Sequence, residues 1–237
     1  MQFSIETHDS LPSTQDSLKQ KAEDGAPEGS VVQALEQTAG RGRQGNVWTS
    51  PPGNLYLSVL LKPDCSPQDA GQLAFVVALA VSGAMSGYTD ASKITLKWPN
   101  DILVSGLKIS GILLESNINN NIVNSVFCGI GLNVSAPPEG AISVHDLTSD
   151  QPDITTVRDG LLDHLATEYT GWREKGFAQV RERWLKQAHG LNGPVTARMQ
   201  DSEKSGTFRG IDENGALIMD VNGTDTLIQA ADIHFGA

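Results

Sequence analysis

Cysteine is scarce: only Cys65 and Cys128 occur in 237 residues, far apart and without a metal-like spacing. A disulfide framework or a cysteine-based zinc site is therefore not expected, and two free thiols suit a reducing, cytoplasmic setting. Positive charge is short as well. Seventeen Lys and Arg stand against 28 Asp and Glu, a formal net charge of −11. Binding to nucleic acid rests on neutralising phosphates, and anionic membranes attract basic segments, so neither partner is expected. Long apolar runs are missing: Leu73 to Val81 soon meets Ser82 and Gly83 and is too short to span a bilayer. The start, MQFSIETHDSLPST, has neither a basic leader nor an apolar stretch and is no signal peptide.

What is present describes a folded α+β chain. At this length a core can form without disulfides or metals. Ser13 to Asp16 opens a helix, with Ser13 as cap and Asp16 three residues on, running to about Glu23. Strands are expected at Ser30–Glu36, Asn54–Leu61 and Ile94–Trp98, with a hairpin pairing 102–104 with 107–115 about Ser105-Gly106. A second hairpin turns at 117–121 and returns along 122–128. Pro67 opens an apolar helix to about Tyr88. Leu161, Leu165, Tyr169 and Trp172 recur at helical spacing on a helix from about Thr156, and another helix follows Gly176. After Gly190 the texture becomes short alternating segments divided by Asn214-Gly215 and Asn222-Gly223, the pattern of a small β module. The expected division is 1–188 and 189–237.

Chemistry concentrates in four places. GRGRQGNVW, Gly40 to Trp48, sets two guanidinium groups among three glycines, in a chain where cations are few. Glycine lets the backbone approach a ligand closely, and arginine matches carboxylate or phosphate. Such a loop is expected to order around an anion. Neither a Walker loop nor a Rossmann fingerprint is present. In LKWPNDI, Asn100 and Asp101 sit at a turn made by Pro99; beside Lys97, Asp101 could hold Mg²⁺ or orient a nucleotide, or be a turn residue only. In LKISGILLES, Lys108 interrupts an apolar strand, either as an edge residue reaching solvent or aimed into a pocket. In GIGLNVS, Gly129 and Gly131 clear one face of a strand for a flat ligand or for packing, and Asn133 could read a base edge. The five histidines are scattered, no nucleophilic triad is visible, and a reaction between two positioned substrates suits that absence.

Taken in order, Ser13-Thr14-Gln15, GRGRQGNVW, KWPND, Lys108 before SGILLE, and GIGLN resemble biotin–protein ligase from about residue 8 to 135. The tail around Gly210-Ile211-Asp212-Glu213-Asn214-Gly215 is similar to that family's C-terminal SH3-like module. The resemblance implies a mixed-sheet catalytic domain with a small β-barrel. It implies that biotin is activated by ATP and Mg²⁺ to biotinyl-AMP and passed to a lysine of a biotin carboxyl carrier protein, with no tightly bound prosthetic group. It further implies a biotin site from Ser13, Thr14, Gln15, Gln37, Arg41, Gly42, Arg43, Lys108 and Gly111. The nucleotide end would comprise Arg43, Trp48, Asn100, Asp101, Lys108 and Asn133, with Lys108 and Arg43 catalytic and Asp101 toward Mg²⁺. Two departures stand out: Gln15 replaces the family's usual Asn, and the motifs begin within a dozen residues of Met1, so no DNA-reading helix-turn-helix and no repressor activity are expected. A monomer or weak homodimer is anticipated. The rival enzyme is a lipoate–protein ligase; the rival from another class is a silent biotin-binding protein.

Overall fold

The computed structural model describes residues 1–199 and 202–235. Its centre is strand β3 (Leu55–Leu61), LYLSVLL, in which every residue is buried. A strand apolar throughout needs cover on both faces. Seven strands line up as β1 (Ser4–Leu11), β2 (Ser30–Gln37), β3, β7 (Ile122–Leu132), β6 (Leu107–Asn119), β5 (Asp101–Val104) and β4 (Ile94–Lys97). β1 and β2 run parallel; the remaining pairs are antiparallel. Helix α1 (Thr14–Glu23) supplies the crossover that a parallel pair needs. The sequence pattern did not anticipate β1, because an edge strand with mostly exposed residues carries little apolar alternation.

Side chains alternate across the sheet. Leu55, Leu57, Val59 and Leu61 join the large core beneath α3 (Leu73–Met85) and α4 (Ile154–Lys175). Leu60 points the other way, with Val32, Phe127 and Leu18 of α1. The helix expected from Pro67 is divided into α2 (Pro67–Gly71) and α3 at Gln72, whose amide donates to Asp69 and accepts from Trp172. Together Pro67–Met85 is long and apolar enough to cross a membrane by length and composition, yet most of it is buried. Helix α4 starts two residues before the expected Thr156, because Asp153 accepts from the Thr156 amide and caps it. Gly176, at φ 74°, ends α4 and opens α5 (Phe177–Lys186), as its position after the apolar stripe predicts.

The C-terminal residues form a second, antiparallel sheet ordered β11 (Thr224–Ile228), β10 (Leu217–Val221), β9 (Ser202–Ile211), β8 (Pro194–Met199) and β12 (Asp232–Phe235). Strand β12 was not foreseen in the sequence. Two donors tie the C-terminal residues to the rest of the chain: Trp98 Nε1, just after β4, bonds Gly215 O at 2.9 Å, and Arg181 Nε of α5 bonds Ile211 O at 2.7 Å.

Candidate active site

The cavity arises from a change in side-chain size along one sheet face. On the face bearing α1, register brings Leu60 and Phe127 together, then Ser58 with Gly129 and Leu113, then Tyr56 with Gly131, Gly111 and Asp101. Where bulky residues give way to glycine, a cavity of about 210 Å³ opens to solvent. Its walls come from the start of α1, the glycine-rich loop, β5, β6 and β7, with Ala231 and Asp232 of the second sheet at the rim.

One end is polar and closely tied. Ser13 stands at the N-cap position of α1, but its hydroxyl caps no helix amide, contrary to the expected capping box. Asp16 instead turns to Arg41, leaving the Ser13 hydroxyl at the cavity wall. Gln37 accepts from Thr14 N at 2.9 Å and from Thr14 Oγ1 at 3.2 Å, and donates to Ser50 at 3.0 Å. Its oxygen thus holds Thr14 while its amino group is anchored on Ser50. Gln15 lies over Gly129 and gives its amino group to Glu115, Phe127 O and Leu113 O, while its Oε1 is buried without a partner.

The glycine-rich segment has main-chain structure of its own. Antiparallel bridges pair Gln37 with Ser50 and Arg41 with Val47, and a single 3₁₀ turn spans Arg43–Gly45. Gln44 and Gly45 take positive φ there, 54° and 78°, which explains a glycine at the second position. Beyond the turn, Trp48 lies flat on the glycines: a Cβ at Gly131 would come within 2.5 Å of its Nε1, and one at Gly111 within 2.8 Å of its Cζ3. The flat group against Gly131 is thus the chain's own indole. Its Nε1 is buried and unpartnered, the second such atom in the cavity.

The other end carries cations. Lys108 points into the cavity, not to an edge; its Nζ sits 2.6 Å from Asp101 Oδ1 and 5.0 Å above the Trp48 ring. Asp101 therefore pairs with Lys108, although Lys97 opposes it in register. Arg43 donates to Asn100 Oδ1 at 3.3 Å and forms no ion pair among the described residues. Burial lowers its pKa, and the nearby charges of Asp101 and Asp232 offset part of that. Asn100 is itself fixed, since its amino group donates to Ile112 O at 2.7 Å.

Two expected site residues behave differently. The Arg41 guanidinium is committed to Asp16 in two 2.6 Å bonds, so it is not free for an anion. Asn133 is not brought to the cavity wall; its amide donates to Ile142 O and Lys108 O and fastens the strand end. Conversely, sequence analysis gave Asp16 only a place at the helix start and did not single out Glu115 or Asp232 as site residues. A lone Glu closing the apolar run LKISGILL was the one available signal for Glu115. Asp232 carried none, lying in a segment not recognised as a strand. Among the described residues, no group of three His, Cys, Asp or Glu side chains could hold a metal ion by itself.

The mixed sheet thus carries a cleft with cations at one end and a small β module at its rim. The chain belongs to the biotin/lipoate A/B protein ligase family, whose model matches residues 8–133, while that of the biotin protein ligase C-terminal domain matches residues 190–235. A biotin–[acetyl-CoA-carboxylase] ligase of Paracoccus denitrificans is 39% identical over 219 residues, covering 86% of this chain and 90% of that protein. The protein of the same name from Mycobacterium tuberculosis is 32% identical over 231 residues, covering 93% and 85%. Among solved structures, the biotin protein ligase of Aquifex aeolicus in complex with biotin and ATP superposes with a TM-score of 0.85 at 27% identity, over 98% of this chain and 99% of that one.

Proposed function

We propose that this chain activates biotin with ATP and transfers it to the lysine of a biotin carboxyl carrier protein such as that of acetyl-CoA carboxylase. The observation that carries this assignment is the polarity of the cavity. Ser13, Thr14, Gln15 and Gln37 bring hydroxyls and amides to one end, while Lys108 and Arg43, with Trp48 beside Lys108, line the other. Biotin has matching ends: a ureido ring with N–H donors and a carbonyl, then an aliphatic chain ending in a carboxylate. Ser13, Thr14 and Gln15 are assigned to the ureido ring, with Gln37 fixing Thr14. Gly111 and Gly131 let Trp48 lie against the sheet and Gly129 does the same for Gln15, so that these two side chains form the floor assigned to the ring system.

In the first step a carboxylate oxygen of biotin attacks the α-phosphorus of ATP. The bond to the bridging oxygen breaks and pyrophosphate leaves with the electron pair. In the second, the carrier lysine's amine attacks the acyl carbon, the C–O bond to AMP breaks, and the amine loses a proton. Both steps gather negative charge on oxygen. Lys108 and Arg43 stabilise that charge best in a site closed to water. Asn100 holds Arg43, and Asp101 holds Lys108. Magnesium accompanying ATP would take most of its ligands from phosphates and water, and Asp101, with Asp232 at the rim, would be the carboxylates to meet it. The division is kept at 188/189, between α5 and β8, and the second sheet is assigned a supporting role at the rim.

Incubation with MgATP, a carrier domain and either biotin or lipoate tests the assignment by mass. Biotin should add to the carrier and lipoate should not; an unmodified carrier with biotin would refute it. Lys108→Ala and Arg43→Ala should each lower turnover by roughly a hundredfold or more, and near-wild-type rates would remove the role assigned here.

A further inference from the structure

The two arginines of the loop do different work. Arg43 lines the cavity, bonds Asn100 and has no ion pair among the described residues, whereas Arg41 grips Asp16 through both terminal guanidinium nitrogens, Nη1 to Oδ2 and Nη2 to Oδ1, each at 2.6 Å. Its Nη2 also lies 3.7 Å from Glu115 Oε2. Lys19 closes the circuit, 2.9 Å from Glu115 Oε1 and 4.0 Å from Asp16 Oδ1. Two carboxylates and two cations thus join three separate elements at the mouth of the cavity: the glycine-rich loop, α1 and β6. The contact is electrostatically mutual. The donating Arg41 fork holds the Asp16 carboxyl below its ordinary value, and Asp16 raises Arg41.

Glu115 has a second task. Gln15 Nε2 lies 3.0 Å from Glu115 Oε2, 3.2 Å from Phe127 O and 3.4 Å from Leu113 O. Three acceptors around one amino group determine which way the amide faces, and its oxygen is left without a partner among the described residues.

Resting on the ligase assignment above, we propose that Asp16 and Glu115 are positioning residues. Asp16, through Arg41, latches the loop onto α1 between the two chemical steps, keeping water from the acyl-phosphate anhydride until the carrier lysine arrives. Glu115 supports Arg41 and orients Gln15. The latch has little to overcome: isolated exposed pairs are weak, but a bidentate arginine within a network is the favourable case, and a tenfold change in closed population requires only about 1.4 kcal/mol. Water entering an open site would split the anhydride into biotin and AMP, consuming ATP without transfer.

The experiment compares wild type, Asp16→Asn, Asp16→Glu and Arg41→Met with biotin and MgATP. AMP release is measured without carrier; with carrier, the ratio of AMP formed to biotin transferred is determined. Amide exchange at Gly42 and Trp48, whose N–H groups bond Asn46 O and Gly40 O across the loop, is followed in parallel. Asp16→Asn should raise carrier-free AMP release about tenfold, lift the AMP-to-transfer ratio above that of wild type and speed exchange at both amides. Asp16→Glu, which keeps a carboxylate, should recover part of each effect. Arg41→Met should match Asp16→Asn, and the double variant should add little to either. Wild-type leak and wild-type exchange in Asp16→Asn would overturn the latch while leaving the ligase assignment standing. Failure of the wild type to make AMP from biotin would overturn the ligase assignment instead, and the exchange measurement would still judge the contact.

Discussion

The two faces of the seven-stranded sheet have opposite designs. Beneath α3 and α4, Leu, Val and Ile side chains interlock in the main core, and replacing them changes stability. On the α1 face the same strands present Gly111, Gly129 and Gly131, and the gaps are filled by Trp48 and Gln15, each keeping a buried polar atom without a partner. One face spends its side chains on packing, the other withholds them for recognition. A single alternating strand serves both purposes because neighbouring residues point in opposite directions.

Substitutions on each face sharpen the contrast. Leu161, fully buried on α4, should cost about 2–5 kcal/mol when changed to Ala, with adenylate formation per folded molecule kept. Chemical denaturation and biotin-dependent pyrophosphate exchange measure the two quantities, and a matching loss of exchange rate would blur the division. On the opposite face, Gly131→Ala should leave the melting temperature close to wild type. It should lower kcat/KM by roughly tenfold to a hundredfold, since the new methyl must push Trp48 aside. Gly129→Ala should do less, because the nearest atom there, of Gln15, lies at 3.1 Å against 2.5 Å for Trp48 Nε1 at Gly131. The smallest effect is expected at the joint between the sheets. There His189 bonds Thr95 through Nδ1 at 3.3 Å and meets Phe235 edge-on. Burial, and then Lys97, lower its pKa below 6.5. The unfolded chain binds that proton more readily, so stability is full above about pH 6.5 and declines as pH falls through the folded value. His189→Gln should flatten that decline in melting temperature; an unchanged pH profile would show that His189 plays no part in it.

Periodicity made much of this molecule legible from its residues. The buried strand NLYLSVLL, the stripe Leu161–Leu165–Tyr169–Trp172 and the Asn-Gly turns each carry a local signal stronger than its surroundings. Edge strand β1 and terminal strand β12 were not legible, because exposed and short strands lack apolar alternation. In the site, Lys108 left two possibilities open in the sequence, and register decided between them: Asp101 and Trp48 draw it inward. Arg41 and Arg43 look equivalent two residues apart. Only the fold reveals that α1 presents a carboxylate to one of them. Asn133 illustrates the converse, since a polar residue after a glycine strand can serve main-chain carbonyls as readily as a ligand. Contacts between residues a hundred positions apart, such as Gln15 and Glu115, leave no trace in local pattern.

The position of Trp48 makes the molecule its own reporter. Trp98, Trp172 and Trp184 are buried in the packed interior, while the Trp48 indole alone faces the cleft with an ammonium group 5.0 Å above its ring. Whatever small molecule enters changes the polarity and charge around that one chromophore, so occupancy can be followed by emission colour, without a label, in the same cuvette as the chemistry.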